Sequence, residues 1–491
     1  MSFCRALLLL GVVWLSACSI SPRKTELNDV HSQLNRARVR AVHAPTTAQE
    51  ISRIVHDASA RGGKISIAGG RHAMGGQQFG DDTVHLDMRS FNRIVGLDSK
   101  RGILTVQAGA MWPEILQYLA AVPGKPWAFR QKQTGADRLT VGGALSANVH
   151  GRGLLLPPFI GDVESFKLIL ADGREIHCSR TEHRELFRLV IGGYGLFGVI
   201  TEVKLRLMPR LKLDRVVRIV PRTNLAAEFQ QAIRQGFTYG DWQYLTDEQD
   251  PRFFSLGVFS LYRPSTNKDP VPTQRRVLRP EDWARLYELA FRDEQRVWEE
   301  YSRYYLSTNG QLYWSDESQM STYLENANQG FKKWSGSKAD SSLMISELYV
   351  PRSHLEAFLA EAATIIKAHE ANVVYGTVRL IARDRESFLA WAKQDSACTI
   401  VNLHVVHTAE GIAKAQRAFQ SLIDAALHRG GSYYLTYHRW ARKDQVLRAY
   451  PQFVEFLRKK KQYDPGELFE TEWYRHYRKM FAAELKQERA R

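Results

Sequence analysis

Apolar spacing divides the chain into two textures. Thr47-Ala48-Gln49-Glu50 is a capping box; behind it Ile51, Ile54, Val55 and Ala58 share one helical face, and Gly62 ends the helix. Residues 64–68 alternate as a short strand that feeds a glycine-rich loop. Residues 83–88 read as another strand, with no amphipathic helix between. Residues 102–109 form a further strand, and Pro113 opens a helix whose face holds Ile115, Leu116 and Leu119. Residues 166–176 are a hairpin turning at Asp172-Gly173. Short strands with edge helices predict an α+β fold, not a doubly wound sheet. From about Leu211 the texture changes. Alternating runs appear at 241–245 and 253–262, and a polar, aromatic stretch at 263–340 has helical spacing near 283–304. A strand begins at Ser346, a helix follows through Ile366, and residues 373–381 and 398–407 are β-rich. In the last run Asn402 and His404 share one strand face and His407 takes the other.

The loop after the first strand is Gly69-Gly70-Arg71-His72-Ala73-Met74-Gly75-Gly76-Gln77. Glycine lets a backbone approach a ligand closely, and successive N–H groups in such a loop form an anion-binding nest. By itself the loop reads as an ordinary glycine turn. Two further segments change that reading: Thr140-Val141-Gly142-Gly143-Ala144-Leu145-Ser146-Ala147-Asn148-Val149-His150-Gly151 and Ile191-Gly192-Gly193-Tyr194-Gly195-Leu196-Phe197-Gly198-Val199-Ile200.

In order and spacing, these three loops resemble those of the vanillyl-alcohol-oxidase/PCMH superfamily of FAD enzymes, with residues 68–73 as the pyrophosphate loop. The likeness covers about residues 38–210 and leans toward aldonolactone and alditol oxidases, with some toward cytokinin dehydrogenases. It implies FAD as cofactor and a two-subdomain FAD-binding domain at 37–210. A cap domain at 211–430 would lay an antiparallel sheet over the flavin, and a C-terminal segment, 431–491, would return to the first domain. The implied cofactor contacts are Ala68, Gly69, Gly70, Arg71, His72, Ala73 and Gln77 in the first loop. In the second region they are Thr134, Gly135, Thr140, Gly142, Gly143, Ser146, Asn148, His150 and Gly151. In the third they are Gly195, Gly198, Val199 and Ile200. Many members bond a histidine at the His72 position to the flavin 8α-methyl; here Arg71 and Ala73 replace the usual flanking Gly and Ser.

Gly376-Thr377-Val378-Arg379 falls where the aldonolactone oxidases carry Glu-x-Arg, so Arg379 matches and Thr377 replaces the glutamate. Tyr437-His438-Arg439-Trp440-Ala441-Arg442 resembles their His-Trp-Gly-Lys segment, with Arg442 in the lysine position. The implied reaction is hydride transfer from a C–OH substrate, a sugar lactone, polyol or related alcohol, to the flavin. His404 and His438 are the candidate bases, since imidazole titrates near neutrality, and Arg379 and Arg442 would orient the substrate. Val149 is a candidate restrictor of oxygen access. Oxygen, a quinone or another carrier would reoxidise the flavin. The alternatives are an amine dehydrogenase or C=C reductase of the same superfamily and, more remotely, a non-catalytic lipoprotein binding module.

The N-terminus adds a location. Arg5 precedes the apolar run 6–15, too short to span a bilayer and suited to a secretory signal. Leu15-Ser16-Ala17-Cys18 resembles a bacterial lipobox, which implies a lipoprotein-type signal peptide at 1–18 in which Cys18 becomes the lipidated first residue, a polar tether at 19–36, and a periplasmic, outer-membrane lipoprotein. The 491 residues carry a net charge of +16, which suits a soluble basic surface or an anionic lipid partner; no nucleic-acid module is visible. Cys178 and Cys398 read as buried thiols or, in an oxidising compartment, a pair, and no Cys or His spacing indicates a metal site.

Overall fold

The computed structural model describes residues 24–124, 126–321, 324 and 327–486. Cys4, the lipobox and Cys18 lie outside the described residues. The chain opens with β1 (Thr25–Leu27) paired antiparallel to β2 (Ala37–Val39). Residues 24–36 are therefore not the expected tether. Their polar side chains fold the loop on itself: the Asp29 carboxylate, buried, accepts from the amides of His31 (3.0 Å), Ser32 (2.5 Å) and Gln33 (3.2 Å). Asn35 Nδ2 donates to the Met74 carbonyl at 2.6 Å, and Ser342 Oγ donates to the Ser32 carbonyl at 2.7 Å. Polarity here caps a packed loop instead of solvating a free one.

A small parallel sheet follows, built from β3 (Ala41–His43), β4 (Ile65–Ala68) and β5 (Val84–Asp87) in the order β3-β5-β4. The helix α1 (Ala48–Ala60) makes the β3–β4 crossover; the Thr47/Glu50 capping box is formed and Ile51, Val55 and Ala58 are buried. The second sheet uses β6 (Ile94–Asp98), β7 (Ile103–Gln107), β8 (Trp127–Phe129), β9 (Val163–Ile169), β10 (Glu175–Ser179) and β11 (Val199–Pro209). Its antiparallel order is β10-β9-β11-β7-β6, with β8 also paired to β11. The helices α2 (Trp112–Ala121), α3 (Val141–Ala147) and α4 (Arg184–Val190) bury their apolar faces on it. The two sheets form an α+β unit with two subdomains.

From Lys212 the chain builds one broad antiparallel sheet. Its strands are β12 (Lys212–Pro221), β13 (Tyr239–Tyr244), β14 (Leu256–Pro264), β15 (Leu312–Trp314), β16 (Ser341–Pro351), β17 (Val373–Ile381), β18 (Ser396–Val406) and β19 (Ser432–Tyr433). Their order is β15-β12-β14-β13-β17-β18-β16-β19. One face is covered by α5 (Leu225–Arg234), which buries Phe229 and Ala232. Between β14 and β15 lie α6 (Pro280–Arg292) and α7 (Glu294–Ser307). After residue 431 the chain returns to the first unit: the Ile65 amide donates to the Leu468 carbonyl at 2.7 Å, Gln77 Nε2 donates to the Leu435 and Thr436 carbonyls, and the Glu472 amide donates to the Phe79 carbonyl. Among the described residues no helix is long and apolar enough to cross a membrane.

Candidate active site

The glycine loops converge on a cavity of about 410 Å³ that continues across to the broad sheet. Gly69 and Gly70 show why side chains are excluded from its first wall. A Cβ on Gly69 would sit 1.9 Å from Thr140 Oγ1, and one on Gly70 would sit 2.4 Å from the Arg138 carbonyl oxygen, so the first and second loops touch directly. Thr140 is itself committed, since its Oγ1 caps α3 by accepting from the Gly143 amide at 3.2 Å. Three non-glycine residues in the left-handed region stand on the three loops: Arg71 (φ 61°), Asn148 (φ 48°) and Tyr194 (φ 55°). Such conformations cost free energy and persist where the surroundings over-determine them, commonly at ligand sites.

Ala68, Gly69, Gly70, Arg71, His72, Ala73, Gln77, Thr134, Gly135, Thr140, Gly142, Gly143, Ser146, Gly195, Gly198 and Ile200 all line the cavity, as does Val149. Asn148, His150, Gly151 and Val199 do not. Asn148 is tied behind the wall to Asp384 (3.0 Å) and to the Ile160 amide (3.0 Å), Val199 is in the apolar core, and the Gly151 amide donates to Gln131. The Arg71 guanidinium reaches Asp87 at 3.1 Å. His72 Nδ1 lies 2.8 Å from Nε2 of His31, a residue of the segment expected to be a tether. Burial pushes His72 down to about 3 and His31 down to about 4, so both rings are neutral at neutral pH.

The opposite wall is the face of the broad sheet. Glu347 on β16 and Thr377 on β17 both pair with Ile400 on β18, which puts the three in one row. Arg379, Asn402 and Glu347 line the cavity beside Thr377. The Glu347 carboxylate accepts from Tyr437 O–H (3.0 Å), Tyr349 O–H (2.8 Å) and His150 Nε2 (2.8 Å). Burial opposes its ionisation, but His150, Arg379 and these donors outweigh burial and hold the carboxyl below its ordinary value. Cys398 Sγ is 3.9 Å from both Glu347 and His150. The 2.8 Å His150–Glu347 contact is a hydrogen bond that leaves no place for an ion between the two atoms. Cys178 and Cys398 are both buried and unbridged.

Several polar atoms at this wall have no protein partner among the described residues: Thr377 Oγ1, Arg379 Nε and Nη1, Asn402 Nδ2 and Oδ1, and, nearer the loops, Thr134 Oγ1 and Gln133 Oε1. Buried polar groups are normally paired, so this set calls for a ligand. A third wall is aromatic. Trp283, Leu286, Tyr287 and Ala290 share one face of α6, and Glu294, Val297, Trp298, Tyr301 and Tyr305 share one face of α7.

Three expected catalytic side chains lie elsewhere. His438 is buried against Phe419 and Trp440, bonded to Ser346 Oγ (3.2 Å), and pushed down to about 3 by that burial. His404 does share its strand face with Asn402, but it sits two residues further along, edge-on to Phe291 of α6 at 4.8 Å, outside the cavity lining. Arg442 is on the surface, held by Asp424 and Asp444. Sequence reasoning missed Glu347, although a glutamate in the mostly apolar run Leu343-Met344-Ile345-Ser346-Glu347-Leu348-Tyr349-Val350 was a readable signal. The aromatic stretch with helical spacing near 283–304 was legible, but its place as a wall of this cavity was not.

Comparison with known proteins bears on the first wall. Residues 39–179 match a family model described as an FAD binding domain. This segment is a PCMH-type FAD-binding domain of the vanillyl-alcohol-oxidase superfamily. Cytokinin dehydrogenase 7 of Oryza sativa subsp. japonica is 32% identical over 192 residues, covering 36% of this chain and 35% of that protein. An uncharacterized oxidoreductase, ORF5 in the fasciation locus of Rhodococcoides fascians, is 30% identical over 176 residues, covering 35% and 38%. The FAD-dependent monooxygenase yanF of Aspergillus niger is 28% identical over 172 residues, covering 35% and 29%. The chain thus spans about a third of the length of the curated relatives it matches. FAD is the cofactor of this domain. The site fits it: a glycine cradle closed to a Cβ at Gly69, Gly70, Gly142 and Gly198, unpaired Thr134 and Gln133 atoms, and an apolar flank at Leu139, Val149 and Ile200.

Proposed function

We propose that the protein is an FAD-dependent oxidoreductase that oxidises a C–OH carbon, with Glu347 as the proton acceptor. The single observation that carries this reading is a buried carboxylate, Glu347, held ionised on the sheet face that shares a cavity with the glycine loops. FAD, when bound, supplies the acceptor for the hydride that leaves the substrate carbon. The chain's own groups do the rest. Arg379 and Asn402 present unpaired N–H groups that orient the substrate oxygen. Glu347 takes the hydroxyl proton, and Tyr437 and His150 stabilise the carboxylate while it waits. The aromatic faces of α6 and α7 cover the substrate and exclude water. Glu347 also answers the missing glutamate at Thr377: the carboxylate comes from a strand two places across, in the same row.

The aldonolactone-oxidase likeness supports the C–OH reading, whereas the cytokinin dehydrogenase relatives support its rival, oxidation of an amine; in either case the proton has the same acceptor. His72 is the residue for a covalent link to FAD, and Cys18 the proposed site of a lipid anchor outside the cytoplasm. The test is anaerobic bleaching of the flavin by a panel of alcohols, lactones, polyols and amines, in the natural chain and in Glu347→Gln. We expect one class to bleach it and the substitution to slow that step by roughly 10²-fold or more, the usual contribution of a positioned base. Unchanged bleaching in Glu347→Gln would remove Glu347 from the chemistry.

A further inference from the structure

The cavity extends past Arg379 to β13, where the substrate oxygen has no need of it. Trp242 of β13 pairs with Val378 of β17, which sets Gln243 beside Thr377 and Asp241 beside Arg379. The row Gln243–Thr377–Ile400–Glu347 thus crosses four strands, and its ends stand roughly 14 Å apart at about 4.8 Å per strand. Asp241, Gln243, Arg152, Tyr301 and Tyr305 all line this far end.

The far end is built. Tyr301 O–H donates to Gln243 Oε1 at 2.5 Å, and Gln243 Nε2 donates to Asp241 Oδ1 at 3.1 Å, so the amide is oriented and one carboxylate oxygen is used. Asp241 is 4% exposed, and its Oδ2 lies 3.8 Å from Arg152 Nη1, beyond hydrogen-bond distance. Arg152 Nη2 donates to the Ser318 carbonyl at 2.6 Å, while its buried Nε has no partner among the described residues. Asp241 Oδ2 and Arg152 Nη1, too far apart at 3.8 Å to bond each other, therefore leave an acceptor and a donor at the same end of the cavity. A buried carboxylate and guanidinium normally fill their hydrogen-bonding capacity. A hydroxyl satisfies both at once, giving its proton to Asp241 and accepting from Arg152; an aryl amine donates to the first but accepts only weakly from the second, and a methyl ether accepts only from the second.

We propose that Asp241, Gln243 and Arg152 form a distal subsite for a hydroxyl group, and that the substrate is an elongated, ring-bearing molecule with this hydroxyl at the end remote from the carbon that is oxidised. The proposal rests on the flavoenzyme reading and names the substrate class of that site. The aromatic faces of α6 and α7 span the distance between the two ends and cover the ring.

The test is calorimetric binding of a biphenylmethanol to the full chain, with a hydroxyl, an amine, a methyl ether or hydrogen at the remote para position. The natural chain binds the hydroxyl compound at least about tenfold tighter than the ether or the parent, with the amine between, since a site built for a hydroxyl rejects compounds lacking it. Asp241→Asn brings the hydroxyl-to-ether ratio to roughly one to three. Tyr301→Phe removes only the O–H that fixes Gln243 and lowers the ratio partially, which keeps the test independent of one variant's folding. Equal binding of all four compounds, absence of binding, or a ratio that survives Asp241→Asn overturns the subsite. The measurement needs no turnover, so it is separate from the flavin reading, which fails only if the chain rejects FAD.

Discussion

A carboxyl group buried without partners keeps its proton. Glu347 is buried yet accepts from Tyr437, Tyr349 and His150, and its value in the fold lies below the ordinary glutamate value of 4.5. The sign of the linkage follows. A depressed carboxyl contributes stability that is fully present above its unfolded value and is lost as pH falls through its folded value. The melting temperature of the natural chain should exceed that of Glu347→Gln near neutrality, and the difference should narrow as the pH is taken below about 4.5. A difference that stays constant down to acid pH would mean that Glu347 is not ionised in the fold. Because the carboxylate persists down to that range, loss of activity between pH 5 and pH 8 should not trace to it. At the same scale, Cys398 has its thiol raised well above the usual range by burial, and it is chemically quiet for that reason.

The glycine loops are legible as elements because their constraint is local. Gly76, Gly192, Gly195 and Gly198 stand at positive φ, where glycine is favoured locally, and the strand before the first loop alternates plainly. Gly69→Ala should cost most or all of the bound FAD, since its Cβ would lie 1.9 Å from Thr140 Oγ1 and must push the first two loops apart. The ratio of flavin to protein after purification checks this; a full complement of FAD in Gly69→Ala would mean that the two loops give way freely. The α1 capping box, the hairpin at Asp172-Gly173 and the Pro113 helix start were readable for the same local reason. The polar wall on the broad sheet was not. Thr377 was found by its neighbour Arg379, but Glu347 comes from another strand about thirty residues away, and only pairing through β18 brings it into the same row. His404 misled because alternation gives the face of a strand and not how far along the sheet the cavity reaches; α6 covers that end. His438 and Arg442 were placed by likeness, and packing against Phe419 and pairing with Asp424 take them elsewhere.

On the scale of the whole molecule, the site is assembled from parts distant in sequence. Residues 24–36 close over the first glycine loop, the return segment after 431 pins the same loop through Gln77, and the broad sheet supplies the polar wall. Composition could not reveal the first of these, because a packed polar loop and a solvated tether use the same residues. The visible absorption spectrum of the purified full chain, taken before and after acid precipitation, tests the whole assembly most directly. The expected result is a yellow protein with about one FAD per chain, and colour that stays with the precipitate if His72 carries the cofactor covalently. A colourless chain that takes up no added FAD would contradict it.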